Sequence, residues 1–124
     1  MNKKIKISIV GCGRISKNHF ESIKKHQNKI ELISICDVKQ EVLSKHEAEY
    51  KVKGYLDLED MLKNEELDLV VICTPSGIHA EQTILCANKG INVMTEKPMA
   101  TSWSDGLRMV EACEAAGVRL FVVK

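Results

Sequence analysis

The chain has 124 residues, with 18 Lys and Arg against 17 Asp and Glu, and its formal net charge at pH 7 is +1. This length suits one domain with a substantial core. Charge so close to neutral argues against binding nucleic acid or a membrane surface through electrostatic attraction. The sequence contains neither an apolar run of membrane-spanning length nor a signal peptide, and we therefore expect a cytoplasmic protein.

Strand patterns alternate with helical patterns along the whole chain. We predict strands at residues 5–10, 30–36, 52–55, 67–73, 91–94 and 118–123. Capping boxes at residues 57–60 and 102–105 open two of the intervening helices. Strict alternation implies right-handed crossovers, and it predicts an α/β fold with a doubly wound parallel sheet over residues 1–124.

Two of the predicted helices have an apolar stripe whose position matters below. Val38, Val42 and His46 recur at helical spacing after the second strand. In the last helix, the spacing predicts one apolar face made of Trp103, Leu107, Val110 and Cys113. Gly90 and Gly117 follow the last two helices, where glycine is typical of a helix end.

A glycine-rich turn follows the first strand and precedes a helix. Gly11 permits a tight turn, and Gly13 lets the backbone approach a pyrophosphate at the helix N-terminus. Ser16 occupies the place of the third glycine in the pattern Gly-x-Gly-x-x-Gly, and serine is small enough for close packing there. The alternative is a strand–turn–helix unit whose glycines serve only the turn.

Asp37 ends the second strand pattern and lies 24 residues after Gly13 (37 − 13), near the spacing of about 20 expected for a carboxylate that binds a ribose. Such a carboxylate accepts two ribose hydroxyls and repels a 2′-phosphate, which favours NAD over NADP. The cation of Lys39 nearby would offset part of that repulsion. The alternative role for Asp37 is the N-cap of a helix starting at Val38.

Two further polar segments follow predicted strands. Thr74 and Pro75 come after the fourth strand, and His79 opens the next helix. The tripeptide Glu96-Lys97-Pro98 comes after the fifth strand. Ligands bind outside the carboxyl ends of strands in such sheets, so Lys97 is placed to polarise a substrate hydroxyl or carbonyl. The alternative is a surface charge pair before a proline turn.

The five cysteines are odd in number and form no Cys-x-x-Cys pair. We expect buried, reduced thiols, and we predict no metal site. Cys12 has a second possible role, because a thiol at a helix N-terminus can have a lowered pKa and react with oxidants.

Three motifs carry a family resemblance: Gly-Cys-Gly-Arg-Ile at residues 11–15, Cys-Thr-Pro-x-x-x-His at 73–79 and Glu-Lys-Pro at 96–98. In this order and spacing they resemble the Gfo/Idh/MocA oxidoreductases over essentially the whole chain. The resemblance implies a Rossmann domain that binds NAD(P), with Lys97 as the catalytic residue and a cis Lys97–Pro98 bond. The residues that it implies for the cofactor are Gly11, Cys12, Gly13, Arg14 and Ile15 in the phosphate turn, Asp37 at the adenosine ribose, Thr74, Pro75 and His79 along the cleft, and Glu96 at the nicotinamide side beside Lys97.

Residues 93–108 and 117–124 resemble one subgroup, the UDP-N-acetylglucosaminuronate 3-dehydrogenases of bacterial lipopolysaccharide and O-antigen biosynthesis. This implies oxidation of the C3 hydroxyl of a nucleotide sugar. Members of the family carry a second α/β domain that supplies most of the substrate pocket and usually the contacts of the homo-oligomer. We therefore expect residues 1–124 to be the dinucleotide-binding half of such an enzyme, with little turnover alone. The alternatives are a non-catalytic NAD-binding or sensing module and a fold that binds S-adenosylmethionine.

Overall fold

The computed structural model describes residues 3–123, which form β1 (Ile5–Val10), β2 (Ile30–Cys36), β3 (Lys53–Tyr55), β4 (Leu69–Ile72), β5 (Asn92–Thr95) and β6 (Leu120–Val122). Within this range the six strands make one parallel sheet in the order β3-β2-β1-β4-β5-β6. The predicted doubly wound sheet is confirmed. The strand order reverses between β1 and β4, which is where such sheets bind ligands.

Five helices connect the strands: α1 (Ser16–Lys25), α2 (Gln40–Tyr50), α3 (Leu58–Asn64), α4 (His79–Asn88) and α5 (Trp103–Ala116). A short 3-10 turn, Ser76–Ile78, precedes α4. None of these helices combines the length and the apolar character needed to cross a bilayer.

Both predicted capping boxes are confirmed. The Asp57 carboxylate accepts the N–H of Asp60 at 3.2 Å, and the Ser102 hydroxyl accepts the N–H of Asp105 at 3.2 Å. Gly117 ends α5 with a φ of +71°, as predicted from its position.

The core has two parts, one on each face of the sheet. Val10 and Ile72 belong to an apolar cluster with α3 and α4, whereas their neighbours Ile9 and Val71 belong to a cluster with α1 and α2. This alternation is the period of a strand, whose successive side chains point to opposite faces. The central strands are buried on both faces, so the carboxyl ends of β1, β2, β4 and β5 form a firm edge for a binding site.

Two helix predictions were wrong in detail. The helix predicted from Val38 begins instead at Gln40, and Val38 is 83% exposed. The Asp37 carboxylate accepts the N–H of Lys39 at 2.8 Å, and this local turn holds Lys39 in an extended conformation outside the helix.

The apolar face predicted for α5 was also misplaced. Trp103 is 83% exposed, and Leu107 and Val110 are exposed as well, whereas Met109 and Cys113 are buried. The helix packs against α4, and the stripe through Met109 and Cys113 is its buried one. Helical spacing alone does not choose between two adjacent stripes of similar polarity.

Candidate functional site

The turn after β1 requires glycine at its first position. Gly11 has a φ of +88°, in the region that residues with a side chain rarely adopt. A Cβ at Gly11 would lie 2.9 Å from the Cys73 carbonyl carbon and 2.9 Å from the Thr74 nitrogen. The backbone of the β1 turn therefore packs directly against the end of β4.

The next part of the turn is open. A Cβ built on Gly13 meets no atom within 4 Å. Among residues 3–123, the N–H groups of Gly13, Arg14 and Ile15 have no hydrogen-bond acceptor, and they stand immediately before α1. Unpaired amides at the positive end of a helix dipole form a site for an anion such as a pyrophosphate.

Ser16 takes the place of the third glycine and is fully buried. Its hydroxyl donates to the Gly13 carbonyl at 2.6 Å. The serine thus fits the close helix–strand packing and satisfies its own polar atom within the turn.

Asp37 braces the turn from the end of β2, the strand beside β1. Its Oδ2 accepts the N–H of Cys12 at 2.8 Å, and its Oδ1 accepts the N–H of Lys39 at 2.8 Å. These bonds fix the orientation of the carboxylate. Each carboxylate oxygen has acceptor capacity left for a further donor, so Asp37 is able to accept two ribose hydroxyls.

A cleft of about 520 Å³ opens beside this carboxylate, and Gly11, Gly13, Asp37, Thr74 and Pro75 all line it. Its walls are largely apolar, and residues not singled out from the sequence contribute to them. These are chiefly Val38, Val42, Leu56, Leu58, Ile78 and Leu85. An apolar slot next to a fixed carboxylate and three free amides fits an adenine, its ribose and a pyrophosphate.

Leu56 and Leu58 follow β3, the strand at the sheet edge. The sequence signal that would have found them is their position after a strand, because every carboxyl end in a parallel sheet meets the same edge. The predicted strand over residues 52–55 was too short to attract attention.

The suggestion that Cys12 is a reactive thiol was wrong. Cys12 is 3% exposed, and burial together with the charge of Asp37 raises its pKa to about 12. The helix N-terminus that would favour a thiolate faces the open amides instead. The five cysteines are all buried and free, as expected.

His79 lies behind the cleft wall rather than on it. The side chain is 1% exposed and is not among the residues that line the cleft. Its Nε2 lies 2.6 Å from the Thr74 carbonyl oxygen, and its Nδ1 lies 3.2 Å from that of Met99. His79 therefore ties the end of β4 to the segment after Pro98 and positions Thr74, which lines the cleft.

Glu96 and Lys97 follow β5 and have opposite environments. Glu96 is 8% exposed, and its Oε2 lies 2.5 Å from Nε2 of His19 in α1. Lys97 is exposed, and its ammonium forms no salt bridge with any residue of the described chain. The Lys97–Pro98 bond is cis, as the resemblance implied.

His19 is a site residue that the sequence analysis missed. It lies one turn into α1, 77 residues from Glu96, and nothing local marks it. A single histidine among polar helix residues gives no signal until the fold brings its partner close.

The open glycine turn, the braced carboxylate and the cleft at the reversal of strand order define a dinucleotide-binding α/β domain. Residues 5–124 match the GFO_IDH_MocA family, which is described as an oxidoreductase family with an NAD-binding Rossmann fold. The chain belongs to this family, and NAD is the cofactor of its fold.

Among solved structures, the chain is similar to the WlbA dehydrogenase of Bordetella pertussis in complex with NADH and UDP-GlcNAcA. The identity is 50%, the TM-score is 0.96, and the match covers 98% of this chain and 37% of that chain. Among curated proteins, it is 32% identical over 115 residues to the 4-carboxy-2-hydroxymuconate-6-semialdehyde dehydrogenase of Sphingobium sp., covering 92% of this chain and 36% of the relative. It is also 32% identical over 118 residues to the myo-inositol 2-dehydrogenase of Thermotoga maritima, covering 94% and 35%.

The chain thus spans about a third of the length of the relatives that it matches. Those relatives are named as dehydrogenases with different substrates. The comparison therefore supports the oxidoreductase class more broadly than any one substrate.

Proposed function

We propose that this chain is the cofactor-binding domain of an NAD-dependent dehydrogenase that oxidises the C3 hydroxyl of a UDP-N-acetyl sugar of the UDP-GlcNAcA type. The observation that carries the proposal is Lys97, an exposed and unpaired cation at the carboxyl end of β5, directly after the buried Glu96. The 50% identity to the WlbA dehydrogenase supports the nucleotide-sugar substrate. The proposal extends to a cytoplasmic role in lipopolysaccharide sugar assembly.

Each group at the strand ends has a separate task in this proposal. The amides of Gly13, Arg14 and Ile15 bind the pyrophosphate, and Asp37 binds the adenosine ribose. NAD⁺, when bound, accepts the hydride from the carbon that carries the hydroxyl. The Lys97 ammonium donates a hydrogen bond to that hydroxyl oxygen and stabilises the negative charge that develops on it.

Exchange of Lys97 for Met tests the catalytic role. The domain is joined to the substrate domain of the WlbA dehydrogenase, and NADH formation from UDP-GlcNAcA is followed by absorbance. We expect Lys97→Met to lower kcat by about 100-fold or more, the loss typical of a missing electrostatic stabiliser. NADH affinity of the 124-residue chain should stay within about twofold, because the exposed ammonium binds no group of the adenosine half.

Lys89→Met is the matched control, since Lys89 is an exposed lysine at the opposite end of α4. Undiminished kcat in the Lys97 variant would refute the catalytic role and favour a non-catalytic NAD-binding module. For the substrate class, the same domain is joined to the substrate domain of the Thermotoga maritima myo-inositol 2-dehydrogenase. Equal kcat/KM in the two chimaeras would remove the argument for a nucleotide sugar.

A further inference from the structure

The strongest polar contact outside the cleft joins two elements that are distant in sequence. Nε2 of His19 lies 2.5 Å from Oε2 of Glu96, and the two side chains are 16% and 10% exposed. A carboxylate with so little exposure needs a charged or hydrogen-bonding partner, because the loss of its hydration is costly. His19 supplies that partner from the other side of the strand-order reversal.

The contact links two functional segments. His19 lies in the first turn of α1, which begins directly after the open amides of the phosphate turn. Glu96 follows β5 and directly precedes Lys97. In the sheet β4 separates β1 from β5, so no backbone pairing joins these two segments. The His19–Glu96 pair is the side-chain bridge between them.

The direction of the Glu96 side chain follows from the period of the strand. Met94 packs with the apolar cluster of α1 and α2, whereas Val93 packs with that of α3 and α4. Glu96, two residues after Met94, points to the α1 face, and the adjacent Lys97 does not follow it. Pairing with His19 therefore keeps the carboxylate away from its sequence neighbour and leaves the ammonium unpaired.

The second oxygen of the same carboxylate is uncommitted. Only Oε2 of Glu96 has a hydrogen-bond partner within residues 3–123, so Oε1 remains an acceptor. An anchored carboxylate with one free oxygen at the end of β5 is suited to accept an N–H or O–H from the half of a dinucleotide beyond the pyrophosphate.

We propose that His19 is a positioning residue, which holds Glu96 through Oε2 so that Oε1 meets the nicotinamide half of the cofactor and Lys97 stays free. This inference rests on the proposed function, because it assigns the end of β5 to the nicotinamide and the substrate. It goes beyond it by giving α1 a part in ordering the reacting end of the site.

The test compares two ligands on the 124-residue chain by calorimetric titration. NADH carries the nicotinamide, whereas ADP-ribose has the same adenosine and pyrophosphate without it. In His19→Leu the dissociation constant for NADH should rise by about tenfold, as expected for one lost charge-assisted hydrogen bond. That for ADP-ribose should change by less than about twofold, because the distant adenosine contacts are independent of this pair.

Two further variants separate positioning from folding. His19→Gln keeps a side-chain N–H for Oε2 and should recover most of the NADH affinity. His26→Leu, at an exposed histidine just after α1, is the matched control and should leave both affinities unchanged. Retained binding of ADP-ribose by His19→Leu shows that the fold and the phosphate turn are intact.

The outcomes separate this inference from the proposal beneath it. Equal losses for NADH and ADP-ribose in His19→Leu, or no recovery in His19→Gln, would overturn the positioning role alone. If the unaltered chain bound neither ligand, the cofactor site would be refuted and the inference with it. Undiminished NADH affinity in His19→Leu would show that Glu96 is ordered without His19, which also overturns the inference.

Discussion

Replacement of Gly11 by Ala should destabilise the domain strongly. The residue has a φ of +88°, and its new methyl group would lie 2.9 Å from two backbone atoms of residues 73 and 74. Backbone atoms at the end of a buried central strand have little freedom to move. The strain must therefore appear as lost stability rather than as a local adjustment.

The magnitude follows from three terms. A left-handed conformation costs a residue with a side chain roughly 1–2 kcal/mol, and overpacking adds about 1–3 kcal/mol. Reduced freedom of the unfolded chain returns roughly 0.4–1 kcal/mol. The net loss is about 2–4 kcal/mol, out of a total stability of about 5–15 kcal/mol for a typical domain. For a domain of this size this corresponds to a fall in Tm of about 10 °C.

Gly13→Ala is the matched comparison, because the same methyl group at that position meets no atom within 4 Å. Its Tm should stay within about 2 °C of the unaltered chain, since an unstrained exposed substitution changes stability little. Its NADH affinity should fall by about tenfold, because the methyl group holds the phosphate away from the free amides. Thermal unfolding followed by circular dichroism and titration with NADH measure both effects. Equal Tm values for the two variants would refute the close-approach argument at Gly11.

Three other outcomes are expected. Asp37→Ala should abolish measurable NADH binding and lower the stability by about 1–3 kcal/mol, because it also leaves the buried N–H of Cys12 without an acceptor; a variant as stable as the parent in urea unfolding would contradict this. The folded-state pKa of Cys12, Cys36 and Cys86 is raised from 9.0 to about 12, so stability should be unaffected below pH 9 and fall between pH 9 and about 12, where only the unfolded chain loses these protons; an urea midpoint that stays flat across that interval would count against the buried thiols. Ser102→Ala should cost about 1 kcal/mol through loss of the α5 N-cap, with Ser104→Ala as a neutral control in the same unfolding assay.

Local patterns were sufficient for most of the fold. The apolar run that contains β4 and the glycine turn after β1 each depend on neighbours within a few residues, and both were placed correctly. The same is true of the caps at Asp57 and Ser102, where the side chain and the N–H that it accepts are three residues apart. Features of this kind require no knowledge of the tertiary structure.

The features that were missed depend on contacts between distant segments. The start of α2 at Gln40 follows from the Asp37 side chain, which bonds to residues on both sides of the turn. The buried stripe of α5 is set by its packing against α4, and His19 acquires its importance only from Glu96, 77 residues away. Periodicity describes one element at a time, so it does not reveal which neighbour an element meets.

The hydrogen bond between Asp37 and the N–H of Cys12 constrains how this lineage could change its coenzyme. Acceptance of a 2′-phosphorylated ribose requires that the negative charge at Asp37 be removed. The same substitution withdraws the acceptor that braces the phosphate turn. Small neutral acceptors such as serine or asparagine meet both demands, whereas alanine or a bulky cation meets only the first. Descendants that use NADP should therefore carry such an acceptor at this position, and a designed switch that introduces only positive charge should lose affinity for both coenzymes.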